Sequence, residues 1–155
     1  MTILLLTMAQ AMAANFFVND PINDTLDIAP GELFSLLGPN GAGKTTTIKM
    51  LCCLTRPSDG TASIMGHDIR TDPLAVKQVI GVSPQETAVA PNLNAWENLG
   101  LMAGLHGMDS QRARRRAEEL LEVTGLVDRA GDKAKHYSGG LQRRLSIAMA
   151  LVSDP

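Results

Sequence analysis

Apolar and polar residues are arranged in two different ways along this chain. In the first half, short apolar runs of strand length are separated by glycine, proline and polar residues. Residues 33–37 and 79–83 are largely continuous apolar runs of the kind that buried strands show. Residues 25–28 alternate as a half-buried strand does, and residues 61–65 form a short run that ends at a glycine. The first half is therefore predicted to contain several β-strands.

The second half has the spacing of helices. Asn94 can cap a helix that has Glu97 at its third position, and Gly125 can end a later helix. Before that glycine lies an apolar stripe at helical spacing, formed by Ala113, Ala117, Leu120, Leu121 and Thr124. We expect an α/β protein in which an all-helical region follows the strands.

A glycine-rich stretch joins the predicted strand at 33–37 to a helix. Residues 38–46 read Gly-Pro-Asn-Gly-Ala-Gly-Lys-Thr-Thr, the pattern of a phosphate-binding P-loop. Backbone N–H groups of such a loop converge on phosphate oxygens, the lysine adds a positive charge, and the threonine hydroxyl can ligate Mg²⁺. Ile48, Leu51 and Cys52 share one face of the following helix, which residues 56–60 end. This order of strand, loop and helix predicts binding of a nucleoside triphosphate.

A second glycine-rich helix start lies near the end of the sequence. Residues 137–144 read Tyr-Ser-Gly-Gly-Leu-Gln-Arg-Arg and lead into an apolar segment. Together with the P-loop and with Gln85 after the predicted strand at 79–83, this order of motifs resembles the ATP-binding cassette (ABC) ATPases. The commonest signature of that family is Leu-Ser-Gly-Gly-Gln. The departures at Tyr137 and Leu141 are similar to exporter ATPases of the daunorubicin-resistance type.

The resemblance implies a P-loop NTPase core of ABC type, with an antiparallel β region and a helical subdomain. It divides the chain into a nucleotide-binding core at about 1–85, a helical subdomain at about 86–137 and a signature helix at 138–155. The apolar run ending in Asp-Glu that supplies the Walker B carboxylates of that family does not occur in residues 1–155. We therefore expect an incomplete domain, truncated before Walker B, that belongs to an ABC-type ATPase but does not hydrolyse ATP by itself.

Roles for individual residues follow from the same resemblance. Gln85 would approach Mg²⁺ and the attacking water, and the alternative is a solvated loop amide. Phe16 or Phe17 could stack on adenine or could belong to the core. The P-loop residues that would hold the triphosphate of ATP, with Thr45 also on Mg²⁺, are Asn40, Gly41, Gly43, Lys44, Thr45 and Thr46.

The signature implies partners. Ser138, Gly139 and Gly140 would contact the γ-phosphate of an ATP bound to a second ABC subunit, in a head-to-tail dimer, with the helix dipole adding positive charge. The preferred function is the ATP-binding subunit of an exporter that works with a transmembrane permease and lies on the cytoplasmic side of the membrane. A soluble ABC ATPase without a transport role and a nucleotide-binding remnant without activity stay open as alternatives.

Charge, cysteine spacing and the N-terminal sequence exclude some other functions and partners. Fourteen basic and sixteen acidic residues leave a net charge of −2, so no nucleic-acid partner is expected. Cys52 and Cys53 are adjacent and lack a second pair or a histidine at metal-ligand spacing, so we expect them to pack behind the P-loop helix. The apolar residues 1–8 lack the positive charges that precede the apolar region of a signal peptide, and a strand or a leader is expected there.

Two further features have competing interpretations. The basic run formed by Arg112, Arg114, Arg115 and Arg116 lies close to three glutamates in sequence, which favours a solvated helix face with ion pairs over an anion or lipid site. Trp96 follows Gln85 and could contact a permease or pack locally.

Overall fold

The computed structural model describes residues 14–17, 25–29, 32, 34–84, 86 and 88–155. These residues fall into two compact units, one within residues 14–80 and the other within residues 81–154. The three-part division predicted from the sequence remains a prediction.

A small antiparallel sheet forms the centre of the first unit. Its strands are β1 (Ala14–Phe17), β2 (Thr25–Ile28), β3 (Thr61–Ile64) and β4 (His67–Asp68), in the order β2-β1-β3-β4. Asn15 of β1 lies opposite Asp27 of β2 and Ser63 of β3. Ala62 and Ile64 of β3 are buried, and the strands predicted at 25–28 and 61–65 are confirmed within one residue.

Two short helices belong to the same unit. Helix α1 (Lys44–Leu51) follows the P-loop as predicted, and Cys52 at its C-terminal end is buried. Helix α2 (Pro73–Gln78) was not predicted from the sequence. It begins at Pro73, whose fixed φ suits the first helical position, and it buries only Val76.

Two predicted strands are not formed. Residues 34–37 have no strand pairing, and their side chains are exposed, Leu37 by 76%. Residues 79–83 are irregular, although Ile80, Gly81 and Ser83 are buried. A strand needs a hydrogen-bonded neighbour, and the sheet of the described residues is antiparallel and pairs with neither segment. The apolar pattern therefore predicted burial correctly for part of residues 79–83. It predicted strand pairing wrongly for both segments.

The second unit is helical. Its helices are α3 (Ala95–Leu105), α4 (Ser110–Val123) and α5 (Gly139–Ala150), and two 3₁₀ turns, Val127–Arg129 and Ala134–His136, lie between α4 and α5. The predicted cap of α3 is confirmed. Asn94 Oδ1 accepts from the Glu97 amide at 2.9 Å, and Glu97 Oε2 accepts from the Asn94 amide at 2.7 Å.

One apolar core joins these three helices. Leu99 of α3, Leu121 of α4 and Leu145 of α5 are each at most 1% exposed. The predicted stripe on α4 faces this core, because Ala117, Leu120 and Leu121 are buried, Ala113 packs against the cluster, and the Thr124 hydroxyl donates to the Leu120 carbonyl. Gly125 ends α4 as predicted, with φ of 63°.

Within the described segments, every helix is too short or too polar to span a lipid bilayer.

Candidate nucleotide-binding site

The P-loop turns into α1 through two glycines in the left-handed region. Gly41 has φ of 88° and Gly43 has φ of 80°, conformations that residues with a side chain rarely adopt. Gly38 is favoured for a different reason. A Cβ built there would lie 3.2 Å from Ala42 Cβ, so a side chain would crowd the loop. The pattern of glycines in the sequence is thus explained by the backbone path.

The start of α1 presents backbone donors without helical acceptors. The first helical hydrogen bond runs from the Thr47 amide to the Gly43 carbonyl at 2.9 Å, so the amides of residues 44–46 have no acceptor inside the helix. The N-terminal end of a helix also carries a partial positive charge. Thr45 and Thr46 in this first turn are exposed. These groups can donate hydrogen bonds to an anion with several oxygens, such as a phosphate chain.

Lys44 lies over the same loop. Its Nζ donates to the carbonyls of Gly38 and Pro39, at 2.7 Å each. These two bonds hold the ammonium group beside the loop, where it can meet phosphate oxygens. The Thr45 hydroxyl is accessible for Mg²⁺, which in proteins takes few protein oxygens and keeps waters and phosphate oxygens as its other ligands.

The two thiols behind α1 are not part of the phosphate site. Burial, with a smaller contribution from the neighbouring Cys53, raises the pKa of Cys52 to about 11. Burial also raises the pKa of Cys53, whose Sγ donates to the Ile69 carbonyl at 3.6 Å. Both thiols stay protonated near neutral pH, which agrees with the packing role expected for them. The described residues contain no cluster of three or more His, Cys, Asp or Glu side chains that could hold a metal ion.

The signature stretch forms the start of α5 in the second unit. Ser138 is the N-cap residue, and its Oγ accepts from the Leu141 amide at 3.4 Å. Gly139 and Gly140 form the first turn and are exposed. A Cβ at Gly139 would meet nothing within 4 Å, and one at Gly140 would meet only Ser138 Oγ, at 4.0 Å. Nothing inside the described chain therefore requires glycine at these two positions.

Tyr137 and Gln142 fix the entry to α5. The Tyr137 hydroxyl donates to the Arg129 carbonyl at 2.6 Å, and burial raises its pKa. Gln142 Nε2 donates to the carbonyls of Ala134 and Tyr137, at 3.4 Å each. Tyr137 has a structural role, because its ring is buried and its hydroxyl anchors the preceding turn.

Three predicted site residues lie wholly or in part outside the described structure. Gln85 lies outside the described residues. Phe16 and Phe17 belong to β1, but their side chains lie outside the described part of the structure. Their roles in metal contact and adenine stacking stay predictions, as do the ligand roles of the P-loop and signature residues.

Two arginines of the basic run on α4 form the expected ion pairs, although one of them, Arg116, is largely buried and not solvated. Arg114 contacts Glu118 at 3.1 Å, and Arg116 contacts Glu119 at 2.8 Å and Asp154 at 2.9 Å. The Arg114 guanidinium also lies 5.4 Å from the centre of the Trp96 ring. Trp96 is half-buried and packs against the helical core, so local packing of this residue is confirmed.

Sequence reasoning missed one buried polar residue that shapes the second unit. Asn98 is fully buried on α3. Its Oδ1 accepts from the Ala90 amide at 2.9 Å, and its Nδ2 donates to the carbonyls of Ala90 at 3.2 Å and Asn94 at 2.9 Å. Asn98 lies among apolar residues, one turn after the cap of α3. The one signal in the sequence was therefore a polar residue at a position where the helical spacing predicts an apolar one.

Comparison with known proteins identifies the family. Residues 22–155 match the family model described as ABC transporter. The chain is 45% identical over 130 residues to the daunorubicin/doxorubicin resistance ATP-binding protein DrrA of Streptomyces peucetius, covering 84% of this chain and 39% of that protein. It is 43% identical over 131 residues to the linearmycin resistance ATP-binding protein LnrL of Bacillus subtilis, covering 84% of this chain and 42% of that one.

Two further comparisons agree. The Nod factor export ATP-binding protein I of Cupriavidus metallidurans is 41% identical over 133 residues, which are 86% of this chain and 44% of that protein. A solved structure described as the ATP binding subunit of an ABC transporter matches with a TM-score of 0.70 and 26% identity, over 95% of this chain and 63% of that one. The chain thus spans about two fifths of the length of the curated relatives. It belongs to the ABC transporter family of ATP-binding proteins.

Proposed function

We propose that the protein carrying this chain is the ATP-binding subunit of an ABC exporter and binds MgATP at its P-loop. One observation carries the proposal. The amides of residues 44–46, which have no acceptor inside α1, and the Lys44 ammonium lie on one glycine-rich loop, an arrangement that favours phosphate binding. The relatives are named for drug resistance and Nod factor export, which favours export over the other directions and over a non-transport role.

The proposal includes the partners of the family. A second ABC subunit would place the exposed Gly139 and Gly140 against its bound ATP, which accounts for two glycines that the described chain itself does not require. A separate permease would hold the subunit on the cytoplasmic face of the membrane. Gln85 would act near Mg²⁺ and the attacking water, and the Walker B carboxylates would come from outside residues 1–155. Because those carboxylates are absent here, the 155-residue chain alone would bind ATP without turnover.

The experiment that tests ATP binding uses two lysines of the same helix. Lys44→Ala removes the ammonium group from the P-loop, whereas Lys49→Ala removes an exposed one from the last turn of α1. Loss of a charge-assisted contact to phosphate should weaken MgATP binding roughly 10- to 100-fold in Lys44→Ala. Lys49→Ala should bind as the unaltered chain does. Equal affinity of both variants in a titration with a fluorescent ATP analogue would refute the site.

The dimer is tested separately at the signature. Ser138→Arg, made in the complete protein, places a long cation where the second ATP would bind. Affinity of the single subunit for ATP should stay unchanged, while ATP-dependent dimerisation is lost. Size-exclusion chromatography with and without ATP distinguishes the two properties, and normal dimerisation of this variant would contradict the proposed partner contact.

A further inference from the structure

An open pocket of about 370 Å³ lies in the helical unit, between α4 and the residues that follow α5. We call it the α4 pocket. At about 30 Å³ per molecule it would hold about a dozen waters, and its volume is within the range of small-molecule pockets, about 300–1,000 Å³. Met108 and Val152 give it an apolar part. Its charged lining residues are Arg112, Arg115, Arg116, Glu119 and Asp154.

Arg116 joins the two sides of the α4 pocket. Its guanidinium contacts Glu119 of the same helix at 2.8 Å and Asp154, beyond α5, at 2.9 Å. It also donates to the Leu151 carbonyl at 2.8 Å. Because both carboxylates of the pocket contact Arg116, much of their negative charge is compensated before any ligand enters. The side chain of Arg116 is only 17% exposed, so we regard it as part of the wall.

Arg112 and Arg115 have no such partners. They are three residues apart on α4 and both are exposed. Among the described residues, neither guanidinium takes part in a hydrogen bond or an ion pair. Asp109 is near enough for the pKa of its carboxyl to be lowered, first by the hydrogen bond from the Arg112 amide and then by the charges of Arg115 and Arg112. That carboxylate caps α4, so the guanidinium donors stay available to a ligand.

The donors of the α4 pocket fit a phosphate group better than a carboxylate. A guanidinium presents its N–H groups in a planar fork that can take two oxygens at once. Two such forks can use the three oxygens of a phosphate ester, whereas a carboxylate offers two. Three arginines against two carboxylates leave the lining with one excess positive charge, which suits a single phosphate group. The apolar part of the pocket would contact the carbon skeleton of the ester.

We propose that Arg112 and Arg115 form a binding site for a phosphate ester in the α4 pocket, whose two sides Arg116 holds together. The phosphate group belongs either to a soluble ester or to the headgroup of an anionic phospholipid, since both present the same oxygens to the arginines. The site uses no residue of the P-loop and does not depend on the proposed function. It gives a role to the two arginines of the basic run that ion pairs do not explain.

The first test follows the methyl signal of Met108 by NMR in the complete protein, during titration with inorganic phosphate or glycerol 3-phosphate. Every sample carries Lys44→Ala, so that phosphate at the P-loop does not contribute. The signal is identified by its absence in Met108→Leu. We expect a saturable shift, with affinity at least about tenfold weaker in the double variant Arg112→Gln/Arg115→Gln. The matched control Arg114→Gln removes the same charge from an exposed position outside the pocket and should change the affinity less than about twofold.

Absence of a saturable shift, or equal affinity in the double variant and the unaltered protein, would overturn the proposal. Both substituted side chains are exposed, so the double variant should fold, and far-UV circular dichroism checks this. If it did not fold, the single variants Arg112→Gln and Arg115→Gln would replace it. Each should weaken phosphate binding about threefold or more, and unchanged affinity in both would overturn the proposal as well.

The second test identifies the source of the phosphate group. Flotation of the complete protein compares vesicles of phosphatidylcholine with vesicles of equal parts phosphatidylcholine and phosphatidic acid. Flotation with the acidic vesicles that is lost in Arg112→Gln/Arg115→Gln and kept in Arg114→Gln would identify a lipid headgroup. A shift of the Met108 signal by glycerol 3-phosphate without such flotation would identify a soluble ester. Absence of both would overturn the site, whereas failure of ATP binding at the P-loop would leave these outcomes unchanged.

Discussion

The two units of this chain differ in how much apolar surface each buries within itself. The helical unit has a continuous core, in which Leu99, Leu121 and Leu145 are essentially inaccessible to water. In the described part of the first unit, Phe34, Leu36 and Leu37 before the P-loop are exposed, and α1 has no fully buried residue. The segment that carries the predicted phosphate site is thus more exposed to water than the core of the helical unit.

The difference follows from the type of secondary structure. A helix satisfies its backbone hydrogen bonds within its own sequence, and three helices close in sequence can form a core by themselves. A parallel strand needs neighbours that come from distant parts of a chain. Residues 34–37 have the composition of such a strand and no neighbour among the described residues. Apolar pattern alone does not provide the pairing.

The largest expected effect separates the two units by a pair of identical substitutions. Leu145→Ala opens a cavity in the helical core and should lower the free energy of unfolding by about 2–5 kcal/mol. Leu37→Ala alters a side chain that is 76% exposed and should change it by about 0.5 kcal/mol or less. Urea unfolding followed by far-UV circular dichroism measures both. A Leu37→Ala variant as destabilised as Leu145→Ala would mean that residues 34–37 are buried in solution.

A smaller effect is expected for the buried amide of α3. Asn98→Leu leaves the amide and carbonyl of Ala90 without their side-chain partner, which should cost about 1–3 kcal/mol. Asn92→Leu alters an exposed asparagine of the same loop and should cost about 0.5 kcal/mol or less. The same unfolding experiment compares them. Equal stability of the two variants would contradict the assigned role of Asn98 in holding the loop before α3.

The smallest effects concern two glycines of the helical unit and have opposite signs. Gly100 lies inside α3 with open space around it, so Gly100→Ala should stabilise the protein by about 0.5–1 kcal/mol. Gly125 has φ of 63°, and Gly125→Ala should destabilise it by about 1–2 kcal/mol. Thermal unfolding of the two variants should shift in opposite directions. If the unfolding temperatures of both variants shifted in the same direction, Gly125 would not be the left-handed residue that ends α4, or Gly100 would not lie inside α3.

Local signals predicted the helical unit well. The Asn94 and Glu97 cap, the stripe on α4 and the Ser138 start of α5 each depend on residues a few positions apart, and all three are formed. The P-loop glycines are also local, because left-handed φ is a property of single residues.

The parts that could not be predicted depend on contacts between distant residues. Helix α2 is six residues long, too short for a clear apolar period, and the role of Asn98 depends on the path of the loop that it holds. The bond from Arg143 to Pro84 joins positions 59 residues apart. No spacing rule connects such residues, so only the folded structure shows them together.

The most direct test of the account measures hydrogen exchange of the 155-residue chain with and without MgATP. We predict slower exchange for the amides of residues 44–46, from which the triphosphate would accept hydrogen bonds, and unchanged exchange in the α3 to α5 core. Lys44→Ala should abolish that protection, and Lys49→Ala should keep it. Protection confined to the helical core, or protection of the P-loop that persists in Lys44→Ala, would contradict the assignment of the exposed loop as the ATP site.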